Sequence, residues 1–539
     1  MNGAELLVKS LLDEKISYVF GYPGVSICPF FDALIESPIK SILLRNEQNC
    51  GHAASGYARV NNTVGVCAVS SGPGATNLIT AIAPAFADSI PLVCITGQVP
   101  TEHIGSDMFQ EADIIGSAES FVKYSYLVRD AKELPRIVKE AFYIASTGRK
   151  GPVLIDLPID IQMTEGLSYT PIPDVSLRTY KPTVKGHAVQ IKKVLSVLEN
   201  AKRPILCVGG GVILSGAEEE VIKFAESLHI PVVSTMMGIG VIPSDNPLYM
   251  GMVGKFGKKY ANRAMNESDV LIMIGARVAD RAVSQPDLIT KDKVLVHIDV
   301  DPAEIGKNAG PNIPIVGDAK AVFEELNKSL PDKDFSEWLD QLTRYSKTRE
   351  MKMQGTAKYV DPNEFVRILS EKLDDNAVYV SDVGQNQIYS CNNYIVKHGK
   401  FLTSGGMGTM GYSLPAAIGA SVADLNRQIV CVIGDGAVQM VLSELSSAKY
   451  LNANIKIFVM NNRCLGMIRE FQHMHYDNRY TMVDLQHLPD YEQIAKAFDL
   501  RNVRIRKNEE TVSVLDGILS LNGPVLTEVD VDADAFTAN

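Results

Sequence analysis

Apolar residues along this chain gather into short β-branched runs that stop at glycine or a polar residue and give way to helical spacing. Ile429 to Ile433 is one such run. It breaks at Gly434-Asp435-Gly436, after which Val441, Leu445 and Ala448 recur at i, i+4 and i+7. That pattern predicts a strand, a tight turn and a helix. A second run, Ile455 to Met460, ends in Asn461-Asn462. Asp435 and Asn462 are 27 residues apart, which leaves room for one crossover helix. Two parallel strands would then present both side chains at one carboxyl-terminal edge.

The same alternation fills the chain, with two interruptions. Residues 168–187 carry Pro171, Pro173 and Pro182, and residues 328–358 are charged and hold the only tryptophan, Trp338. Both read as linkers. They leave three domains, 1–167, 188–327 and 359–539, and 539 residues are too many for one core. The fold class read from this is α/β, three doubly wound parallel-sheet domains. The first and last thirds share a layout: Gly72 to Val93 and Gly434 to Ile455 each span 21 residues from glycine turn to next strand. A duplicated domain is the expectation.

Composition narrows the function. With 46% hydrophobic and 21% charged residues and a net charge of −11, the chain reads as soluble and globular. The acidic balance and the lack of a Lys/Arg cluster argue against a nucleic-acid partner. The opening MNGAELLVKSLLDEKISYVFG reads as an amphipathic helix and a strand, without the features of a signal peptide, and no membrane-spanning run is evident. Eight scattered cysteines without a CxxC pair read as buried, reduced thiols of a cytoplasmic protein.

The Asp435–Asn462 edge has a specific chemistry. A carboxylate, an amide oxygen and a nearby backbone carbonyl are hard donors suited to Mg²⁺ or Ca²⁺, and Mg²⁺ leaves positions for water and phosphate oxygens. Gly436 and Ala437 open a helix whose N–H groups favour an anion. Gly-Asp-Gly alone is also a common turn; Asn-Asn after the next strand is what favours metal plus diphosphate. The pair resembles the metal-diphosphate motif of thiamine-diphosphate enzymes, in which the matching ligands would be Asp435, Asn462 and the backbone oxygen of Cys464.

Three further segments resemble the acetolactate synthase branch of that family: GYPG (21–24), SSGPGATN (70–77) followed by ADSIPLVCITGQVP, and FQEAD (109–113). The resemblance implies a pyrimidine-binding first domain, a central FAD-binding domain and a diphosphate-binding last domain. Glu47, in LLRNEQNCGHAASGYAR, lies where the family's catalytic glutamate would lie; a first-turn acid complementing a helix dipole is the ordinary reading. Gly24, Phe109 and Gln110 are carried over beside it, with Gln110 near the reacting carbonyl and Phe109 lining the pocket. Pro23, Gln385, Asn386, Gly408, Met410, Gly434, Gly436, Ala437 and Met467 are carried over as thiamine diphosphate contacts, although many relatives have His where Asn386 stands. Met410 in its glycine-rich loop can equally be filler.

In the middle third, PILCVGGGVILSGA is not G-x-G-x-x-G, which makes a nicotinamide site a poor reading and leaves glycine packing open. By resemblance the FAD residues are Arg149, Gly209, Gly210, Gly211, Thr235, Gly275, Arg277, Asp280, Arg281, Asp299 and Asp318. Four positions depart from the family or bear on the acceptor channel: Val25 replaces the second glycine of YPGG, Ile159 the lysine of LP-K-D, Phe471 a tryptophan, and Lys255 a methionine.

The reaction implied is a carboligation: pyruvate is decarboxylated and its acetyl unit added to a second carbonyl. That carbonyl belongs to a 2-oxo acid, giving acetolactate, or, given Val25, Ile159 and Phe471, to an aldehyde, ketone or keto sugar. A pyruvate-oxidase-like flavin enzyme is the other alternative. The family builds each site between two chains, so a homodimer or homotetramer with shared sites is expected, with a regulatory subunit as a further partner.

Overall fold

The central β-branched runs, such as Ile455–Asn461, are strands buried along their length, as in parallel sheets covered by helices on both faces, while edge strands such as Lys40–Leu43 are largely exposed. The structure, a computed structural model, describes residues 1–283, 286–347, 358–487 and 489–537. Its strands are β1 (Tyr18–Tyr22), β2 (Lys40–Leu43), β3 (Gly65–Val69), β4 (Leu92–Gln98), β5 (Tyr124–Leu127) and β6 (Pro152–Pro158) in the first third. The middle third holds β7 (Pro204–Val208), β8 (Val232–Ser234), β9 (Tyr249–Met252), β10 (Val270–Ile274), β11 (Val294–Asp299) and β12 (Ile313–Val316). The last holds β13 (Val378–Ser381), β14 (Lys400–Leu402), β15 (Ile429–Gly434), β16 (Ile455–Asn461), β17 (Arg501–Ile505) and β18 (Val525–Asp530).

Each set forms one six-stranded sheet, and every pairing between these strands is parallel. The first sheet runs β2-β1-β3-β4-β6-β5 and the third β14-β13-β15-β16-β18-β17, the same order. The shared layout read from the glycine turns is thus a shared topology. The middle sheet runs β12-β11-β10-β7-β8-β9, whose order reverses between β7 and β10, the switch point where open α/β sheets bind ligands.

The first and third sheets share one hydrophobic core. Its seam is the helix Glu47–Asn61 lying against the helix Ser413–Ala423. Gly56 and Gly419 permit this: a Cβ on Gly56 would stand 2.0 Å from the Ala416 carbonyl oxygen, and one on Gly419 1.8 Å from that of Ala53.

Some local expectations shift. The helix after β2 begins at Glu47, because Asn46 caps it by accepting from the Gln48 N–H at 3.0 Å. The helix after β15 is broken into Asp435–Met440 and Glu444–Tyr450, with buried Val441 at φ −131° between them. Residues 168–187 lack helix and strand, but Tyr169, Leu177 and Tyr180 pack on the first core. The second linker is in part a helix, Ser336–Lys347, whose amphipathic spacing buries Trp338 and Leu342 in the middle domain; residues 348–357 of it lie outside the described residues. Seven cysteines are buried and Cys28 is exposed. Among the described residues no helix is long and apolar enough to cross a membrane.

In a helix, alanine is favoured over glycine by up to about 1 kcal/mol. At Gly419 the added methyl meets backbone oxygen, so overpacking wins. We expect Gly419→Ala to lose about 1–3 kcal/mol in urea denaturation; a gain in stability would contradict the seam.

Candidate active site

Because all strands in a sheet point the same way, loops after strands collect at one edge. At the third sheet that edge holds Asp435 after β15, Asn462 after β16, Gln385 and Asn386 after β13, and the Ser404–Gly411 loop after β14. Asp435 is 2% exposed and its carboxylate accepts from the Arg463 N–H at 2.6 Å and the Gly436 N–H at 2.8 Å. Burial, set against those bonds, pushes its carboxyl up to about 7. The Asn462 side chain donates to Gln385 Oε1 at 3.1 Å and accepts from the Cys464 N–H at 3.2 Å. Gly466 lets these groups meet, since a Cβ there would stand 2.0 Å from Gln385 Oε1. Burial pushes the Cys464 thiol up to about 12, so its backbone oxygen, not its sulfur, is the available hard donor. Asn386 spends its N–H groups on the Asp382 and Val432 carbonyls at 3.1 and 2.9 Å, and its Oδ1 is buried without a partner.

These residues line a cavity of about 720 Å³ shared with the middle sheet's carboxyl edge. Gly408, Met410, Gly434, Gly436, Ala437 and Met467 line it from the third domain, and Gly210, Gly211, Thr235, Gly275, Arg277, Asp280, Arg281, Asp299 and Asp318 from the middle. Gly209 lies behind the wall: a Cβ there would be 2.2 Å from the Gly275 carbonyl oxygen, so the β7 and β10 turns meet backbone to backbone. Gly275 needs its glycine for conformation too, at φ +53°. Burial pushes the Asp299 carboxyl up to about 6. Asp318 also caps the helix Ala319–Leu326 by accepting from the Lys320 N–H at 3.0 Å.

Arg149 reaches this cavity from the first domain, pairing with Asp301 at 3.1 Å and Glu304 at 3.0 Å. It precedes β6, and Ala87 to Ser89, which line the same wall, precede β4. The first sheet therefore turns its amino edge to the cavity. Glu47, Pro23, Gly24, Val25, Phe109, Gln110 and Ile159 all follow strands of that sheet, at its opposite edge, and none lines the cavity. Strands of seven residues put about 20 Å between the edges. Within one chain, Glu47 and Asp435 are not brought together.

Glu47 has its own surroundings. Asn77 donates to Glu47 Oε2 at 3.0 Å, and a Cβ on Gly74 would come 3.4 Å from Oε1. Gly72, at φ +57°, packs on the backbone of Gln110, itself at φ +61°. Phe109 is 87% exposed and Val25 77%.

Three domain models match successive parts of the chain. The thiamine pyrophosphate enzyme N-terminal TPP binding domain matches residues 1–117, the central domain 191–326 and the C-terminal TPP binding domain 382–529. A probable acetolactate synthase large subunit of Methanococcus aeolicus is 42% identical over 99% of this chain and 92% of its own length. The chain belongs to the acetolactate synthase family. An acetolactate synthase large subunit of Haemophilus influenzae is 40% identical, and the acetolactate synthase isozyme 3 large subunit of Escherichia coli 38%, each over 99% of this chain and 95% of its own length.

The departures from the acetolactate synthase pattern fall in separate places. Val25 and Ile159 lie on the first sheet's carboxyl edge. Phe471, 44% exposed on the helix Gly466–His475, has its ring 4.5 Å from that of His475. The Lys255 ammonium stands 5.7 Å from the Phe256 ring, which the Arg281 guanidinium also approaches, at 5.8 Å.

Three buried carboxylates escaped the sequence reading. Asp382 follows β13 as Asp435 follows β15, a signal that was available; it accepts from Gly411 N–H, Ser413 N–H and Ser413 Oγ–H at 3.1, 2.9 and 2.8 Å, anchoring one end of the glycine-rich loop. Asp88 anchors the other end, accepting from the Gly405 and Gly406 N–H groups at 3.1 and 2.7 Å. Burial raises both carboxyls above the ordinary range. Glu444, fully buried, accepts from the Arg45 N–H and the Asn49 side chain, both at 2.8 Å, on either side of Glu47. Removing it strands the part-buried Arg45 N–H and the buried Asn49 amide, at about 1–3 kcal/mol each. Glu444→Ala should therefore lower the unfolding free energy by at least about 2 kcal/mol, seen as a lower urea midpoint at unchanged m value; a loss under about 0.5 kcal/mol would remove Glu444 from this role.

Proposed function

We propose that this chain is a thiamine-diphosphate- and Mg²⁺-dependent carboligase that decarboxylates pyruvate and joins the acetyl unit to a second 2-oxo acid, giving acetolactate when that acid is pyruvate. The observation that carries the reading is that Asp435, Asn462 and Cys464 line one cavity beside a helix N-terminus, where a carboxylate, an amide oxygen and a backbone carbonyl would make a hard-oxygen set. The buried Asn386 Oδ1 and the raised Asp435 carboxyl are what a site built for a charged occupant leaves behind. The names of the relatives supply the substrate class.

Thiamine diphosphate, when bound, supplies the carbon nucleophile and the electron sink that decarboxylation of a 2-oxo acid requires. Asp435, Asn462 and the Cys464 carbonyl would hold Mg²⁺, and Gly434, Gly436, Ala437 and Gln385 the diphosphate. Asn386 has no N–H left for phosphate, so it would offer Oδ1 to a donor. Glu47, oriented by Asn77, would hold a proton beside the pyrimidine ring. Gln110 would donate to the substrate carbonyl, and Phe109, Val25 and Phe471 would close water out of the acceptor pocket. Gly210, Gly211, Arg277, Asp299 and Asp318 would hold FAD at the middle switch point.

Because the Glu47 edge faces away from its own cavity, a complete site takes Glu47 from one chain and Asp435 from another. We therefore assign a homodimer as the working unit, with the exposed Val25 and Phe109 covered by its second copy. The words "large subunit" in the relatives' names point to a smaller regulatory partner.

Two outcomes follow. Glu47→Gln should abolish nearly all CO₂ release from pyruvate while thiamine diphosphate still binds, and product analysis of the unaltered enzyme should give acetolactate; unchanged turnover of the variant, or bleaching of bound flavin by pyruvate without oxygen, would refute the reading. Asp435 keeps its proton up to about pH 7, well above the ordinary carboxylate range, so Mg²⁺ must displace that proton at lower pH and none at higher. Mg²⁺ added to weakly buffered protein should release close to one proton per chain at about pH 6 and almost none at about pH 8.5. Equal release at both would place the cation elsewhere.

A further inference from the structure

Glu470 sits on the inner face of the helix Gly466–His475 and is 1% exposed. It does not line the cavity, but it is bonded to Gln385, which does. Its carboxylate accepts from Gln385 Nε2–H at 2.7 Å, the Thr537 N–H at 2.9 Å and the Thr537 Oγ–H at 2.8 Å. The chain's last described residues are thereby tied to the floor of the cavity. Arg469 reinforces the tie by pairing with Asp534 at 2.5 Å.

The direction of these bonds matters. A carboxylate has only acceptors to offer, so Gln385 must face Glu470 with its NH₂ group. The Ala535 carbonyl, which takes the same NH₂ group at 3.2 Å, enforces the same choice. Gln385 Oε1 is then what faces Asn462, and it can only accept. Asn462 must in turn donate with Nδ2, and its Oδ1 is left pointing away from Gln385 as an acceptor. We infer that Glu470 is a positioning residue for the metal site: through Gln385 it fixes which end of the Asn462 amide is presented to the cation. The inference rests on the proposed role of Asn462 as a Mg²⁺ ligand. An outer carboxylate that orients a ligand in this way is a recurrent device of metal sites.

An amide at position 470 keeps the shape but can present oxygen or NH₂ to Gln385, so the shorter of the two contacts that orient Gln385 loses its direction and only the 3.2 Å bond to the Ala535 carbonyl remains. Calorimetric titration of Mg²⁺ into the protein with thiamine diphosphate present reads the effect without turnover. Glu470→Gln should weaken Mg²⁺ binding by about 10- to 100-fold, with the melting temperature of the Mg²⁺-free protein unmoved and the activity lost at low Mg²⁺ recovered at high Mg²⁺. Binding within twofold of the unaltered protein overturns the inference. Should that variant not fold, a chain ending at Ala535 decides: it lacks the Thr537 donors and should bind Mg²⁺ several-fold more weakly, and unchanged binding again overturns it. Asp435→Asn, titrated in parallel, should lose Mg²⁺ binding outright; if it does not, the metal site itself is misassigned rather than its positioning residue.

Discussion

The contact on which the rest depends is the seam between the helices Glu47–Asn61 and Ser413–Ala423. Glycine at positions 56 and 419 brings the two backbones close enough that no side chain fits between, so the first and third domains are welded rather than hinged. Glu444 adds a buried carboxylate across the same junction. This weld sets the orientation of the first sheet. Its amino edge faces the cavity that holds Asp435, and its carboxyl edge, with Glu47, faces out. Two groups proposed to act on one coenzyme are thus held apart in each chain by packing that cannot flex at low cost, and the proposed pairing of chains follows from that separation.

The middle sheet serves the same cavity by a different route. Its order reverses between β7 and β10, and the turns there are lined by glycines that touch backbone to backbone, leaving room at the edge for a ligand. Arg149 closes the cavity from the first domain, so all three sheets contribute to one wall. Buried carboxylates recur along it: Asp88 and Asp382 fix the two ends of the Ser404–Gly411 loop, while Asp435 retains a desolvation penalty that its two N–H donors do not offset. A stability penalty kept at such a position is what a binding function would demand.

Much of this was legible along the chain. Strands buried on both faces must be β-branched and apolar, so their runs announce themselves, and in a parallel sheet the residue that ends each run falls at the ligand-binding edge. That logic reached Asp435, Asn462 and the glycine turns of the middle domain. It missed what depends on local capping or on distant partners. Asn46 starts its helix through a side-chain cap that apolar spacing does not register, and the charged stretch around Trp338 hides an amphipathic helix whose apolar stripe is narrow. Asp88 meets its partners more than 300 residues along the chain, and Glu444 meets Arg45 across 399. No periodicity carries such pairings. Nor could spacing reveal that Glu47 lies outside the cavity that Asp435 lines.

The proposed sharing of sites is tested most directly by mixing two inactive chains. A Glu47→Gln chain keeps its metal edge, and an Asp435→Asn chain keeps its acid. If each site draws these groups from different chains, subunit exchange between the two proteins creates one intact site in every mixed pair, and CO₂ release from pyruvate returns. If both groups of a site came from the same chain, no mixed pair would hold an intact site. Activity that stays at the level of the separate variants after demonstrated exchange would contradict the account.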